Sequence, residues 1–94
     1  MIPNLVLVRT YSAGVHVGVL QSQEGTVVKL TSAVRIWRWR GANTLNELAT
    51  RGADEEYTRI SEPVEEITLT EAIEIISVKN VGVQRNLLTS RWGS

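Results

Sequence analysis

Hydrophobic and polar positions alternate with a period of two through the first third of the chain, a pattern that predicts β-strands. Residues 4–10 are dense in Val and Leu, and residues 15–20 place the odd-numbered valines on one face of a second strand. Small and polar residues at 11–14 favour a turn, so these two strands are predicted to form a hairpin. A second turn at 21–25 leads into a further predicted strand at 26–30.

The next segment, residues 33–40, also alternates, but neither of its faces is purely apolar. Each face combines hydrophobic side chains with arginines, the first being Arg35, Trp37 and Trp39 and the second Val34, Ile36, Arg38 and Arg40. An ordinary core strand has one apolar face. This strand is therefore predicted to run from the interior to a surface that exposes Trp and Arg.

One short helix is predicted at 45–51. Thr44 and Glu47 have the spacing of a capping box, in which Thr44 is the N-cap. Leu45 and Leu48 begin an apolar helical face, and Gly52 favours a helix end.

Strand composition returns at 57–61, 67–70 and 73–78, and it contains an internal repeat. Residues 28–36 and 67–75 share the pattern β-branched, x, Leu, Thr, x, Ala, β-branched, x, Ile, at an offset of 39 residues. Two copies are too few for a solenoid. We interpret them as two strand–corner–strand units of one sheet or barrel, and chance similarity between apolar strands is the alternative.

These patterns together predict a mainly β single domain over residues 1–94. The predicted architecture is a small bent sheet or partly open barrel of five to seven strands, with a two-layer α+β fold as the alternative. The tail at 79–94 carries scattered apolar residues that need cover, so we expect it to dock on the domain or on a neighbouring subunit. Because a short sheet leaves open edges, a homo-oligomer is also expected.

Composition narrows the possible chemistry. The chain has no cysteine, and His16 is its only histidine. Zinc sites built from several His and Cys ligands and thiol nucleophiles are therefore excluded, and His16 with Ser12 lacks the orienting acid of a triad. The acidic residues do not have the spacing of a known metal-binding loop. We predict a protein that is not an enzyme, with no catalytic residue, metal site or cofactor.

Charge is unevenly distributed although the net charge is zero. Residues 1–51 carry +4, residues 52–78 carry −7 and residues 79–94 carry +3. The acidic block would repel a polyanion, which disfavours duplex DNA as a partner. Pairing between the two blocks, within one chain or between subunits, is the alternative to an anion-binding role for the arginines.

The turn region at residues 9–16 is one candidate binding site. Backbone N–H groups beside an arginine form a concavity for a phosphate or carboxylate. The predicted ligand-binding residues are Arg9, Tyr11, Ser12, Gly14, His16 and Arg38. The alternative is an ordinary tight hairpin turn, with His16 as a satisfied strand residue.

A second candidate site combines tryptophans and arginines. Indole rings stack on nucleotide bases, and the same residue types are enriched at protein–protein interfaces. The residues predicted to stack or to form an interface are Trp37, Trp39, Arg40 and Trp92.

Two long strings resemble a family of small uncharacterised proteins from tailed phages and prophages. They are residues 9–18, RTYSAGVHVG, and residues 35–45, RIWRWRGANTL, and further similarity lies at 69–75 and 91–93. The resemblance implies a virus-encoded accessory or structural role in the cytoplasm of a bacterial host, and it carries over no catalytic residue. No secretion signal or membrane span is predicted, so we expect a cytoplasmic protein.

Two functional hypotheses follow. The first is a non-enzymatic phage-type binding protein that sequesters a small, nucleotide-like anion, as a counter-defence protein would. The second is a homo-oligomeric structural or virion protein, or an inhibitor that docks on a host protein.

Overall fold

The computed structural model describes residues 2–11, 14–38, 44–54, 58–61 and 63–89, with Arg38 described by its backbone alone. These residues form six strands and two helices, in chain order β1 (Leu5–Thr10), β2 (Val15–Glu24), β3 (Val27–Arg38), α1 (Leu45–Arg51), β4 (Arg59–Ile60), β5 (Val64–Leu69), β6 (Ala72–Ser77) and α2 (Val81–Leu88).

All six strands belong to one antiparallel sheet. Five of them follow the order β4-β3-β2-β1-β6, and β5 also pairs with β3. Strand β3 has 12 residues, enough for its first half to pair with β5 and its second half with β4. The predicted mainly β fold of five to seven strands is confirmed, as an open sheet and not a closed barrel.

The sheet separates two hydrophobic cores, one on each face. We call them the helix-side core, which both helices cover, and the strand-only core, whose described residues all come from strands. Along β1 the side chains alternate between the two, with Leu5 and Leu7 on the helix side and Val6 and Val8 on the other. Because both faces of β1 are buried, its sequence is a continuous apolar run. Because neither helix of the described residues covers the second core, the sheet itself curves around it.

The curvature is visible in β3. Ser32 has a φ of 51°, in the left-handed region, in the middle of the strand. Before this point the even-numbered residue Leu30 faces the strand-only core. After it the odd-numbered residue Ala33 faces that core, and the even-numbered Val34 faces the helix-side core. The predicted corner in the first repeat copy is thus a bend within one strand. In the second copy it is a true break, between β5 and β6.

The β2–β3 turn is shorter than predicted. β2 continues through Glu24, so the turn consists of Gly25 and Thr26 and the predicted loop at 21–25 is wrong for residues 21–24. Gly25 has a φ of 59°, which glycine adopts without steric strain.

Close packing in the bend requires Gly18. A Cβ placed on Gly18 would lie 2.9 Å from the Cβ of Ala33 and 3.1 Å from that of Leu30. The β2–β3 register shifts beside Gly18, between Val17 and Val19. Glycine therefore lets the bent part of β3 approach β2.

The two repeat copies pair with each other. Val28 lies opposite Leu69, and Leu30 lies opposite Ile67, in the antiparallel β3–β5 ladder. Corresponding residues of both copies contribute to the strand-only core: Val28, Leu30 and Ala33 from the first, and Ile67, Leu69 and Ala72 from the second. The repeat therefore marks the positions that face one shared interior.

Helix α1 begins and ends where the sequence predicts. The Thr44 hydroxyl accepts a hydrogen bond of 3.1 Å from the Glu47 amide, and Gly52 is the C-cap. Leu48 and Ala49 are buried in the helix-side core.

Helix α2 is a finding that the sequence patterns did not predict. Asn80 caps it by accepting a hydrogen bond from the Val83 amide, and Val83 and Leu87 pack into the helix-side core. This places residues 81–88 of the predicted docking tail against the sheet. Residues 90–94 of that tail lie outside the described residues.

Candidate functional site

A pocket of about 160 Å³ lies where β3 changes its pairing partner. Ala33 is paired with β5 and Ile36 with β4, so the sheet edge is interrupted between them. Two hydrogen bonds bridge the gap: the Arg35 amide donates to the Ser61 hydroxyl at 2.9 Å, and the Ser61 amide donates to the Arg35 carbonyl at 2.8 Å. The lining residues are His16, Ala33, Val34, Arg35, Ser61, Val64 and Ile67.

His16 is the buried polar group of this pocket. It is 2% exposed and lies between Val8 and Arg35 on the neighbouring strands, on the face of the strand-only core. Its Nε2 accepts a hydrogen bond of 3.2 Å from the Nε of Arg35. Since Nε2 is an acceptor, the proton of the neutral ring is assigned to Nδ1. Nδ1 is buried and has no hydrogen-bond partner among the described residues.

His16 is neutral at physiological pH. Burial, and to a smaller extent the positive charge of Arg35, together lower its pKa from the ordinary 6.5 to about 4. Neutral imidazole is the form that can accept a hydrogen bond from Arg35. The low pKa and the observed contact therefore support each other.

Arg35 is exposed, and its Nε is held by His16. In the described part of the chain, ion pairs join Arg9 to Glu74, Lys29 to Glu66 and Arg51 to Glu47, and no carboxylate pairs with Arg35. Its two terminal amino groups thus remain for another acceptor. A guanidinium held on one edge presents a planar fork that matches a carboxylate or a phosphate.

The structure separates Arg9 from His16. Arg9 pairs with Glu74 at 3.6 Å and lines a different pocket, of about 250 Å³, beside the start of α1. Its cross-strand partner is Val15 of the helix-side core, whereas His16 is opposite Val8 of the strand-only core. The two side chains lie on opposite faces of the sheet, so the structure does not bring them into one site.

Other predicted site residues are also apart. Tyr11 is 80% exposed, and the Gly14 carbonyl accepts hydrogen bonds from the amide and hydroxyl of Thr10, closing the hairpin turn. Trp37 lies on β3 and is 49% exposed. Predictions for Ser12, Trp39, Arg40, Trp92 and the side chain of Arg38 fall outside the described residues.

Sequence reasoning did not select Arg35 as a ligand-binding residue and did not connect it with His16. The sequence pattern associates Arg35 only with the tryptophans of its strand. The alternation does predict that Arg35 lies on the other face of its strand from Val34 and Ile36, and the structure confirms this. One feature of the sequence could have indicated the pair. His16 is a lone histidine among apolar strand residues, and a buried histidine needs a polar neighbour on the next strand.

The fold and this pocket define a small, mainly β protein with one histidine–arginine pair set into the interruption of its sheet. The chain belongs to a family described as a domain of unknown function (DUF6948), which it matches over residues 4–85. This agrees with the predicted membership of an uncharacterised family. Comparison with curated proteins and with solved structures gave no match.

Neither helix of the described residues has the length and apolar character needed to cross a bilayer.

Proposed function

We propose that this protein is a non-enzymatic binding module that captures a small anion at the His16–Arg35 pocket. The observation that carries the proposal is Arg35, an exposed arginine without a carboxylate partner in the described part of the chain, oriented by a buried neutral histidine. Burying the unpaired Nδ1 donor costs about 1–3 kcal/mol, a cost that folding alone does not require. Buried polar groups without hydrogen-bond partners, which break the usual rules of folding, are found mainly at functional sites.

Binding is favoured over catalysis because the only histidine is already engaged in a hydrogen bond with Arg35. His16 holds Arg35, and its pKa of about 4 is far from the range in which a general acid–base works at neutral pH. The chain offers no thiol nucleophile.

The pocket size limits how a nucleotide-like ligand could bind. Sites that enclose such ligands measure about 300–1,000 Å³, and this pocket measures about 160 Å³. Its volume suits the anionic group of a ligand, with any base lying outside. Trp37 lies two residues along the same strand and is half exposed, and its indole ring is the side chain that would stack on such a base.

The test uses the single histidine as a reporter. Its imidazole gives one set of NMR signals, and these are followed while phosphate, short carboxylates and nucleotides are titrated at constant ionic strength. We expect saturable shifts with millimolar or tighter affinity for at least one anion, weakened at least about tenfold by Arg35→Gln, since charged hydrogen bonds contribute about 1.5–3 kcal/mol. Arg51→Gln, an exposed arginine on α1, is the matched control. Absence of a saturable shift with every anion would contradict the proposal.

The biological role we propose is that of a phage-encoded accessory protein acting in the bacterial cytoplasm, where sequestration of a small anionic signal would counter host defence. The motif resemblance at 9–18 and 35–45 supports this role. Bacteria that express the protein should be infected by a restricted phage more efficiently than bacteria that express Arg35→Gln. Equal plating efficiency of both would contradict it.

A second candidate function is self-association or docking on a host protein, favoured by exposed apolar side chains on the sheet. Trp37, Val64 and Ile73 are 49%, 47% and 55% exposed. Light scattering at about 50 mM and about 500 mM NaCl tests self-association and its charge dependence. A monomer under both conditions would leave only a host partner, which a pulldown with wild-type protein and Trp37→Ala then tests.

A further inference from the structure

We infer that the His16–Arg35 pocket takes a short aliphatic carboxylate, with the carboxylate on the end of the Arg35 fork and the hydrocarbon part against the pocket wall. This inference rests on the proposed function, because it specifies the ligand of the same site. It concerns free small acids of about four to six non-hydrogen atoms.

The hydrogen bond from Arg35 to His16 determines which part of the guanidinium can bind an anion. Its Nε edge already donates to His16, so the free part of the guanidinium is the end that carries the two terminal amino groups. Two parallel N–H groups match the two oxygens of one carboxylate. A phosphate would present further charged oxygens that need additional donors.

Such additional donors are scarce in the described lining. The Ser61 hydroxyl, which accepts from the Arg35 amide, has a single O–H, and Nδ1 of His16 lies below the accessible surface. Charged phosphate oxygens that lose water without gaining hydrogen bonds are strongly disfavoured. The donor arrangement therefore favours the carboxylate.

The rest of the wall is apolar. Four of the seven lining residues are aliphatic, namely Ala33, Val34, Val64 and Ile67. The pocket volume of about 160 Å³ equals roughly five times the share of one water in the liquid, about 30 Å³. This is room for a carboxylate with a body of two or three carbons. Each methylene buried there should strengthen binding about fourfold.

His16 acts as a positioning residue. It does not need to touch the ligand, because its Nε2 fixes the plane of the Arg35 guanidinium. His16→Gln can preserve an acceptor through its amide oxygen, whereas His16→Phe cannot. The glutamine variant should therefore keep carboxylate binding within about tenfold, and the phenylalanine variant should lose more, a difference that a purely structural role would not produce.

The experiment is a calorimetric and NMR titration of the full chain with acetate, propionate, isobutyrate and hexanoate, and with phosphate and methylphosphonate. We expect affinity to rise about fourfold per carbon from acetate to isobutyrate and to stop rising at hexanoate. Arg35→Gln should reduce isobutyrate affinity at least about tenfold, and Arg51→Gln should leave it unchanged. Val64→Thr, which places a hydroxyl in the wall at similar volume, should reduce the gain per carbon.

The outcomes separate this inference from the proposed function. Binding of phosphate or nucleotides without carboxylates overturns the carboxylate inference and leaves the binding module standing. Equal affinity along the carbon series also overturns the inference, because the apolar wall would then contribute nothing. No anion binding by a folded wild-type protein, or binding that Arg35→Gln does not weaken, overturns both.

Discussion

At the scale of single residues, His16 links the stability of the fold to pH. Its pKa is about 4 in the folded chain and 6.5 when solvated, so the unfolded chain binds more protons between these values. Stability from this residue is complete above pH 6.5, is lost as the pH falls toward 4, and changes no further below. Arg35 is the charged group in contact with the ring, and Val8 on the opposite strand is apolar.

We predict that the free energy of unfolding falls by about 3 kcal/mol between pH 6.5 and 4 through His16, beyond the loss due to carboxylates. Urea unfolding across this range, compared with His16→Gln, measures the difference. The variant should show the shallower pH dependence. Parallel curves for both proteins would mean that His16 protonates as easily when folded as when unfolded.

Gly18 allows the second residue-scale prediction. Gly18→Ala adds a methyl group 2.9 Å from the Ala33 Cβ, where a contact that short forces the strands apart. We expect a loss of about 1–3 kcal/mol in the free energy of unfolding. Ala33→Gly should recover part of the loss when combined with Gly18→Ala, because it removes the nearest atom. A double-mutant cycle by urea unfolding measures this coupling, and a fully additive result would refute the proposed contact.

At the scale of elements, Gln84 joins α2 to two other segments. Its side chain, 3% exposed, accepts from the Ile2 amide at 2.9 Å and donates to the carbonyls of Ile2 and Val78 at 2.9 and 2.8 Å. Asn86, two residues further along α2, similarly accepts a hydrogen bond from the Ala53 amide and donates one to the Ala53 carbonyl, just after α1. Side-chain amides therefore fix the position of a helix that has only eight residues.

We predict that Gln84→Leu destabilises the chain by about 2–4 kcal/mol, because it leaves three backbone groups near the interior without partners. Arg85→Leu, at the exposed neighbouring position, is the control and should change stability by less than about 0.5 kcal/mol. Hydrogen exchange provides a local measurement, since the Ile2 amide should lose protection only in the first variant. Equal effects of both substitutions would contradict the role of the amide.

Elements with local signals could be predicted from the sequence. The Thr44 and Glu47 spacing predicts α1, the Val- and Leu-rich run predicts β1, and period-two alternation predicts β2. Helix α2 could not be predicted in this way, because Gly82 and Asn86 have low helix propensity and tertiary contacts stabilise it instead. The positive φ at Ser32 was equally hidden, since it depends on how β3 packs against β2 and β5.

The candidate site was predictable only in part. The alternation that places the odd-numbered valines of β2 on one face places His16 on the other, and the register that pairs Arg9 with Val15 then separates His16 from Arg9. The two register shifts in the β2–β3 ladder cancel, so the His16–Arg35 pair has the same register as the Glu24–Val27 pair beside the turn. The pairing of His16 with Arg35 therefore follows from the two-residue turn at Gly25 and Thr26, which the loop predicted at 21–25 concealed.

At the scale of the whole molecule, the oppositely charged blocks meet within one chain in at least two places. Arg9 pairs with Glu74, and Lys29 pairs with Glu66, at 3.6 and 3.7 Å. Both pairs join the basic first half to the acidic block, as the intramolecular alternative predicts. Their side chains are between 42% and 58% exposed, so solvent weakens both interactions.

We predict a coupling energy of about 0.2–1 kcal/mol for Lys29 and Glu66 in a double-mutant cycle with Lys29→Gln and Glu66→Gln, decreasing as salt is added. Urea unfolding at low and high NaCl gives this energy. A coupling that is larger and independent of salt would mean that the pair is shielded from solvent, for example by a second subunit.

The strand-only core has a consequence for the order in which the protein can fold during its synthesis. Its residues extend from Val6 to Ile75, and β1 obtains its second neighbour only through pairs such as Val8 with Ile75. Because the chain emerges from the ribosome with its amino end first, the continuous Val/Leu segment of β1 is exposed long before β6 is translated. Such distant pairing slows folding into the range of milliseconds to seconds and makes the emerging chain sensitive to aggregation.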